Sequence, residues 1–206
     1  LELEFAIFLG VMLSLLLYLN RTSNPRILPR VPDPMSAGRK FTTAGGNLVE
    51  CRQLRIIRID GSLFFGAVNS FQETLRNYEK EIPDVRFLAI VMSGVNFVDL
   101  AGAEALVQMA KRWRAHGGGL YLIRPKDRVL EILEKGGYID EIGRENIFHS
   151  KTEALRTLYR YFDYNECKTC GRRVFVECAR MGKQEPTEAD FDDEPAPKAV
   201  AGPAAV

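Results

Sequence analysis

The residues best placed for chemistry lie in a loop between a wholly apolar segment and a predicted helix. Residues 87–102 read FLAIVMSGVNFVDLAG, and Asp99 stands where the helix would begin. The free N–H groups of a first helical turn, together with the helix dipole, can hold a phosphate or another anion. The candidate binding residues at this turn are Asp99, Leu100, Ala101 and Gly102. On the alternative interpretation, Asp99 only caps the helix and Gly102 only permits close packing.

Three cysteines towards the end of the chain form a second candidate site. Cys167 and Cys170 make a CxxC pair, and Cys178 follows them. Structural zinc sites use four soft ligands at such spacings, and only three cysteines lie together here. Cys51 or His149 would supply the fourth ligand only if the fold brought it to the other three. Basic neighbours can also lower a thiol pKa and favour redox chemistry, whereas a cytoplasmic location argues against a structural disulfide. Metal binding, redox chemistry and no cofactor all stay open.

Motifs of nucleotide-dependent enzymes are missing from the sequence. It contains no GxxxxGK[ST] loop and no GxGxxG motif after a strand. The glycines at 117–119 follow a predicted helix, which is the position of a helix stop. The two histidines, His116 and His149, stand apart and predict no catalytic pair. We therefore expect no enzyme and, apart from the metal left open at the cysteines, no resident cofactor. The formal net charge of +1 does not indicate a nucleic-acid partner.

Alternating strands and helices must position these candidate residues. Apolar runs bounded by turn signals predict strands at 52–60, 86–92, 120–123 and 146–149. Apolar residues at steps of three and four predict a helix after each of these strands. The predicted fold class is α/β, with a mixed, largely parallel sheet flanked by about four helices.

The start of the chain has a different character, because residues 5–19 are apolar on every helical face. Basic residues follow this run and mark the cytoplasmic flank of a membrane helix: Arg21, Arg26, Arg30, Arg39 and Lys40. We expect the end of a transmembrane helix over residues 1–20, with a helix buried in a soluble core as the alternative. Since the chain begins at Leu1 and not at Met, we expect a fragment of a longer protein.

Composition divides the rest of the chain into four parts. Residues 21–46 are expected to be a Pro/Arg-rich linker, because proline pushes the preceding residue out of helical space. Residues 47–163 form the predicted domain, and residues 164–182 form a cysteine-containing extension. Residues 183–206 are acidic and rich in Pro and Ala, so we expect disorder there.

The loop motif and the order of elements resemble the STAS domain, which SulP-type anion transporters share with anti-sigma factor antagonists. Segment 95–102, VNFVDLAG, carries this resemblance, and segment 57–67, IRIDGSLFFGA, looks like the transporter branch. The apolar run, then YLNRT at 18–22 and a Pro/Arg linker, is similar to the last transmembrane helix of SulP proteins entering their STAS domain. The antagonist branch reads Asp-Ser-Ser-Gly with a phosphorylated second serine. Ala101 has no hydroxyl, so that switch is not expected here.

The resemblance implies a regulatory STAS domain at the carboxyl end of a SulP-type secondary anion transporter for sulfate, bicarbonate or dicarboxylate. The domain would lie in the cytoplasm beneath the inner or plasma membrane. Its implied partners are the membrane, the transmembrane part of the same transporter and a second copy in a homodimer. Nucleotide or acyl carrier protein binding is also implied for the family. Two alternatives remain: a membrane-anchored signalling module like the antagonists, and a metal or redox protein built on the cysteines.

Overall fold

A computed structural model describes residues 2–32, 41–44, 49–175 and 178. The strands are β1 (Arg26–Pro32), β2 (Phe41–Thr43), β3 (Leu54–Asp60), β4 (Phe87–Gly94), β5 (Gly119–Ile123) and β6 (Ile147–Phe148). The helices are α1 (Glu2–Ser23), α2 (Phe65–Glu81), α3 (Leu100–Ala115), α4 (Asp127–Lys135), α5 (Tyr138–Ile142), α6 (Lys151–Tyr159) and α7 (Tyr164–Thr169), with a 3₁₀ turn at Arg144–Asn146. The described strands form one sheet in the order β2-β1-β3-β4-β5-β6.

The larger part of the sheet is parallel. Strands β3, β4, β5 and β6 pair side by side in parallel, with Ile57 opposite Ile90 and Ile90 opposite Leu122. The first six residues of β4 are buried, as expected for a central strand whose sequence is an unbroken apolar run. Helices connect the successive parallel strands, which confirms the predicted α/β fold and its largely parallel sheet.

The prediction of a linker over residues 21–46 is wrong for the part that forms β1 and β2. Strand β1 pairs antiparallel with β3, and β2 pairs antiparallel with β1. Proline is tolerated in β1 because the carbonyl of Pro29 accepts a hydrogen bond from the Ala44 N–H at 2.9 Å, on the side of β2. The nitrogen of Pro29 faces the same side, so its missing N–H leaves the pairing with β3 intact. Residues 33–40 and 45–46 of the predicted linker lie outside the described residues.

Each face of the sheet carries its own apolar core. Successive side chains of a strand point to opposite faces. Ile90 therefore belongs to a core that also contains residues of α2, α3, α4 and α5, and Ala89 to a second core that contains residues of α6. Tyr164 and Cys167 of α7 pack against the second core. This two-sided burial explains why β4 shows no alternation between apolar and polar residues.

Helix boundaries follow local signals in most places. The Ser150 hydroxyl accepts from the Glu153 N–H at 3.1 Å and so caps α6, which begins directly after it. Gly117, with a φ of 73°, follows the end of α3 as the predicted helix stop requires. Helix α5 departs from the prediction, because it is a second helix after β5 where one was predicted. It forms because Ile139 and Ile142 are buried in the first core.

Helix α1 extends to Ser23, past the predicted end at residue 20. The most apolar 18 residues within Leu3–Ser23 have a mean hydropathy of 2.0, and none of them is buried. The helix is therefore long and apolar enough to cross a membrane. Helix α7 lies in the predicted cysteine-containing extension, and the predicted disordered tail, 183–206, lies outside the described residues.

Candidate functional site

Asp99 joins the first turns of two helices. One oxygen of its carboxylate, Oδ1, accepts from the Gly102 N–H at 2.8 Å and so caps α3. The other, Oδ2, accepts from the N–H of Phe65, the first residue of α2, at 2.9 Å. A carboxylate is stabilised at a helix N-terminus by the free N–H groups and by the dipole. Asp99 therefore ties α2 and α3 together at the carboxyl ends of β3 and β4.

The loop around Asp99 packs closely on the loop that enters α2. The Leu63 carbonyl accepts from the Asp99 N–H at 3.1 Å, and the Leu63 N–H donates to the Phe97 carbonyl at 3.0 Å. A Cβ added to Gly102 would lie 2.2 Å from the Leu63 carbonyl oxygen, which is closer than atoms can approach. Only glycine fits at this position. The Asp-x-x-Gly spacing is therefore what the close contact between these two loops requires.

This geometry bears directly on the predicted anion site. The Asp99 carboxylate already accepts from N–H groups that a phosphate at the helix starts would use, and its charge opposes a second anion. Leu100 is 71% exposed and Ala101 is half-buried, and neither side chain offers a hydrogen-bond donor. The arrangement favours a structural corner, and ligand binding by Asp99, Leu100, Ala101 and Gly102 stays a prediction.

Three exposed apolar side chains surround this corner, and we call them the apolar loop face: Phe65, Phe97 and Leu100. Phe65 is 77% exposed and Phe97 is 38% exposed, with the Arg128 guanidinium 6.0 Å from the Phe97 ring. Sequence reasoning missed this surface. The available signal was that Phe65 and Leu100 stand in first helical turns, outside the apolar stripe that the helices bury.

A short joint connects α1 to the sheet, with only Asn24 and Pro25 between Ser23 and the start of β1. The Asn24 side-chain amide donates to the Asn20 carbonyl at 2.8 Å and so satisfies one free carbonyl at the end of α1. A Cβ on Gly66 would lie 3.0 Å from the Ser23 hydroxyl oxygen, so the end of α1 lies directly against the start of α2.

Further contacts make this joint stiff. Gly61, with a φ of 138°, lies against Pro25, where an added Cβ would stand 3.1 Å from the Pro25 Cβ. The Tyr78 hydroxyl donates to the Ile27 carbonyl at 3.1 Å and ties α2 to β1. The Tyr78 ring in turn stacks on the buried Arg55 guanidinium at 4.1 Å. A displacement of α1 would therefore be passed to β1 and α2 and not absorbed by a flexible linker.

The fold also brings Cys51 to the three cysteines singled out in the sequence. We call the set the four-cysteine cluster: Cys51, Cys167, Cys170 and Cys178. All four line one cavity of about 20 Å³, whereas His149 does not. Burial raises the pKa of the Cys51 thiol and raises that of the Cys167 thiol to about 12. Among the described residues, no three His, Cys, Asp or Glu side chains are already gathered as a metal shell.

Comparison with known proteins identifies the domain. The STAS domain family matches residues 47–154, which is more than half of the chain. Probable sulfate transporter 4.2 of Arabidopsis thaliana is 27% identical over 177 residues, covering 77% of this chain and 25% of that protein. Sulfate transporter 1.1 of the same plant is 24% identical over 163 residues, covering 75% of this chain and 25% of that protein. The chain thus spans about a quarter of the length of these relatives.

A solved structure supports the fold. The murine Slc26a9 anion transporter in its inward-facing state matches with a TM-score of 0.62 at 20% identity, over 78% of this chain and 26% of that one. The match extends well beyond residues 47–154 and is at the level of fold. The chain belongs to the STAS domain family, and sulfate transporters are its homologues over most of its length.

Proposed function

We propose that this chain is the carboxyl-terminal part of a SulP-type secondary anion transporter, and that its STAS domain regulates transport by docking and not by catalysis. On this proposal α1 is the end of the last transmembrane helix, and the domain lies on the cytoplasmic side. The docking partner is the transmembrane part of the same transporter. Sulfate is the first substrate to test because the relatives are sulfate transporters, followed by bicarbonate and dicarboxylates.

The observation that carries the proposal is the joint between α1 and the sheet. A helix with an unburied apolar surface continues almost directly into β1, and its end lies against the start of α2. The basic residues Arg21 and Arg26 follow the apolar stretch, and Lys or Arg at one flank favours the cytoplasmic side.

The apolar loop face lies beside this joint. Phe65 is the first residue of α2, next to the Gly66 position that meets Ser23, and Asp99 holds Phe65 to the start of α3. Exposed apolar side chains that cluster at one place on a surface favour a protein or membrane contact. This end of the domain is therefore the end we assign to contact with the membrane part.

Regulation requires the domain to contact one transport state more favourably than another. A ligand or domain can shift a conformational equilibrium only by its difference in binding free energy between the two states. A stiff joint helps because any movement of the last membrane helix also moves the docked face. Homodimerisation, nucleotide binding and acyl carrier protein binding remain further predictions of the family resemblance.

The test compares the full-length transporter with a version that ends after Ser23. Both are purified into proteoliposomes, and sulfate, bicarbonate and dicarboxylate uptake is measured per inserted protein. We expect the shortened protein to insert but to transport at a changed rate, since β1 to β6 and the docked face are removed. Equal rates and equal assembly of the two proteins would contradict a regulatory role. Uptake of none of the three anions by the intact protein would contradict the transporter assignment.

A further inference from the structure

The four-cysteine cluster assembles every cysteine of the chain in one place. Cys51 precedes β3, Cys167 and Cys170 lie at the end of α7, and Cys178 follows. These segments are far apart in the sequence, yet all four side chains line the same small cavity. The cavity of about 20 Å³ has room for one water molecule or one ion, and not for a larger group.

Hydrogen-bond donors are directed at the sulfur atoms. The Gln53 amide nitrogen lies 3.2 Å from the Cys167 sulfur, and its orientation is fixed because the amide oxygen accepts from the Asp163 N–H at 2.7 Å. Gln53 is only 3% exposed, so this donor is held in place inside the protein. A neutral thiol is a weak acceptor, whereas a thiolate is a strong one. Burial raises the pKa of the Cys167 thiol, so the Gln53 donor would help to hold a thiolate there only beside a bound cation.

The same holds for two other members of the cluster. The Tyr159 hydroxyl lies 2.7 Å from the Cys178 sulfur. The backbone groups of Gln53 and Leu54 lower the pKa of the Cys51 thiol, against the larger effect of burial, which raises it. Donors that contact metal-bound sulfur orient the ligand and stabilise its negative charge. Cys51, Cys167 and Cys178 thus each have a polar neighbour of the kind that accompanies a metal-bound thiolate.

The charged side chains around the cavity also favour a metal bound by thiolates. Four thiolates and one divalent ion carry a net charge of −2, which needs nearby positive charge. Arg52 and Arg173 line the cavity, together with one carboxylate, Glu166. The two guanidinium groups would offset that charge. The Glu166 carboxylate is itself negative and would cancel part of their effect.

We propose that the four-cysteine cluster binds one Zn²⁺ ion through four thiolates. Each thiol gives up its proton to solvent when it binds the metal, so full coordination releases four protons. All-sulfur ligand sets select zinc or iron–sulfur clusters, and the small cavity excludes a cluster. Zinc–sulfur bonds of about 2.3 Å would draw the four sulfur atoms inward around the ion. The metal would fasten α7 and Cys178 to the segment before β3.

The test uses the 206-residue chain, expressed with zinc and purified in detergent under reducing conditions. Elemental analysis should find about one zinc per chain, and exchange for cobalt should give the intense thiolate-to-cobalt absorption of a tetrahedral four-sulfur site. Cys51→Ser and Cys170→Ser should lower the zinc content at least about fivefold. Lys168→Ala, an exposed position between the two CxxC cysteines, keeps all four sulfur atoms and should bind zinc as the wild type does.

Several results would overturn the zinc site. One is that the reduced wild-type chain contains no zinc and shows no cobalt–thiolate absorption band. A second is that a disulfide is found within the cluster after purification, and a third is that Cys51→Ser keeps the full zinc content. The cobalt spectrum is recorded on the wild type, so it is informative even if a variant fails to fold. Fluorescence of Trp113, the single tryptophan, reports folding of each variant. Transport is not measured, so failure of the zinc proposal is distinct from failure of the transporter assignment.

Discussion

Asp99 makes a structural contact in a loop that lacks the serine of a related signalling branch. Its two carboxylate oxygens accept from the N–H groups of Phe65 and Gly102. Ala101 stands where a related signalling branch is expected to carry a phosphorylated serine. The shape of the loop is kept by Asp99 and Gly102, while the group that would carry the phosphate is absent. The corner therefore serves to position the starts of α2 and α3.

Replacing Asp99 with alanine should destabilise the domain. Two N–H groups at helix starts lose their acceptor, and loss of a cap costs about 1–2 kcal/mol in the free energy of unfolding. Urea unfolding of the 206-residue chain in detergent, followed by Trp113 fluorescence, measures the change. Asp84→Ala, at an exposed turn, is the matched control and should stay within about 0.5 kcal/mol of the wild type. Equal stability of the Asp99 variant and the control would refute the double-cap interpretation.

Tyr121 gives the domain a specific sensitivity to alkaline pH. The residue is 6% exposed, and burial raises its pKa to about 12, above the value of about 10 in an unfolded chain. The neutral phenol is thus favoured by the folded state. The resulting contribution of Tyr121 to the free energy of unfolding is fully present below about pH 10. It is lost as the pH rises towards 12, and the loss is at most about 3 kcal/mol.

The measurement is the difference in unfolding free energy between wild type and Tyr121→Phe from pH 8 to pH 12. We expect the wild type to lose more stability than the variant above about pH 10. Parallel curves for wild type and Tyr121→Phe would show that the buried phenol does not titrate differently in the two states.

At the scale of elements, α1 is the part whose surroundings differ most from those of the domain. Its apolar side chains are exposed all along the helix, for example Phe8 at 65% and Leu13 at 56%. Such a helix lowers its free energy only when lipid or another apolar surface covers it. The assignment to a membrane therefore predicts a strong response to charge at its centre.

Leu13→Arg should reduce membrane insertion of the 206-residue chain. An arginine near the centre of a membrane helix costs about 2.5–3.5 kcal/mol in insertion free energy. After expression, alkaline carbonate extraction separates inserted from peripheral protein, and we expect the variant to shift to the extracted fraction. Tyr161→Arg, on the exposed surface of the domain, should leave the distribution unchanged. Membrane retention of Leu13→Arg equal to the control would argue against a spanning helix.

The elements that sequence predicted well are those with a local cause. The unbroken apolar run of β4 and the helix stop at Gly117 each depend on neighbouring residues, and each is confirmed. Strand β1 was missed because Pro29 and Pro32 favour a linker. Its place in the sheet depends on pairing with β3, which no local pattern reveals.

The candidate sites show the same difference between features with a local cause and features that depend on tertiary packing. The capping role of Asp99 was predictable from its position before α3, but its second bond, to Phe65, depends on how two loops pack. The CxxC pair was visible in the sequence, whereas the approach of Cys51 depends on the docking of α7. Contacts between distant segments are set by tertiary packing, so sequence spacing alone could not supply them.

At the scale of the whole molecule, the features behind the two proposals lie at opposite ends of the domain. The joint, the Asp99 corner and the apolar loop face lie together at the carboxyl ends of β3 and β4. The four-cysteine cluster lies at the other end, before β3 begins. One end is suited to contact the membrane part, and the other to fasten the extension onto the domain.

The central claim is that a stiff joint couples the last membrane helix to the domain. It is tested most directly by inserting Gly-Ser-Gly-Ser after Ser23 in the full-length transporter and measuring anion uptake per inserted protein in proteoliposomes. The matched control carries the same insertion between Pro83 and Asp84, in an exposed turn far from the joint. We predict that the joint insertion changes the transport rate as removal of the domain does, while the control transports like the wild type. Wild-type transport by the joint insertion would contradict the claim.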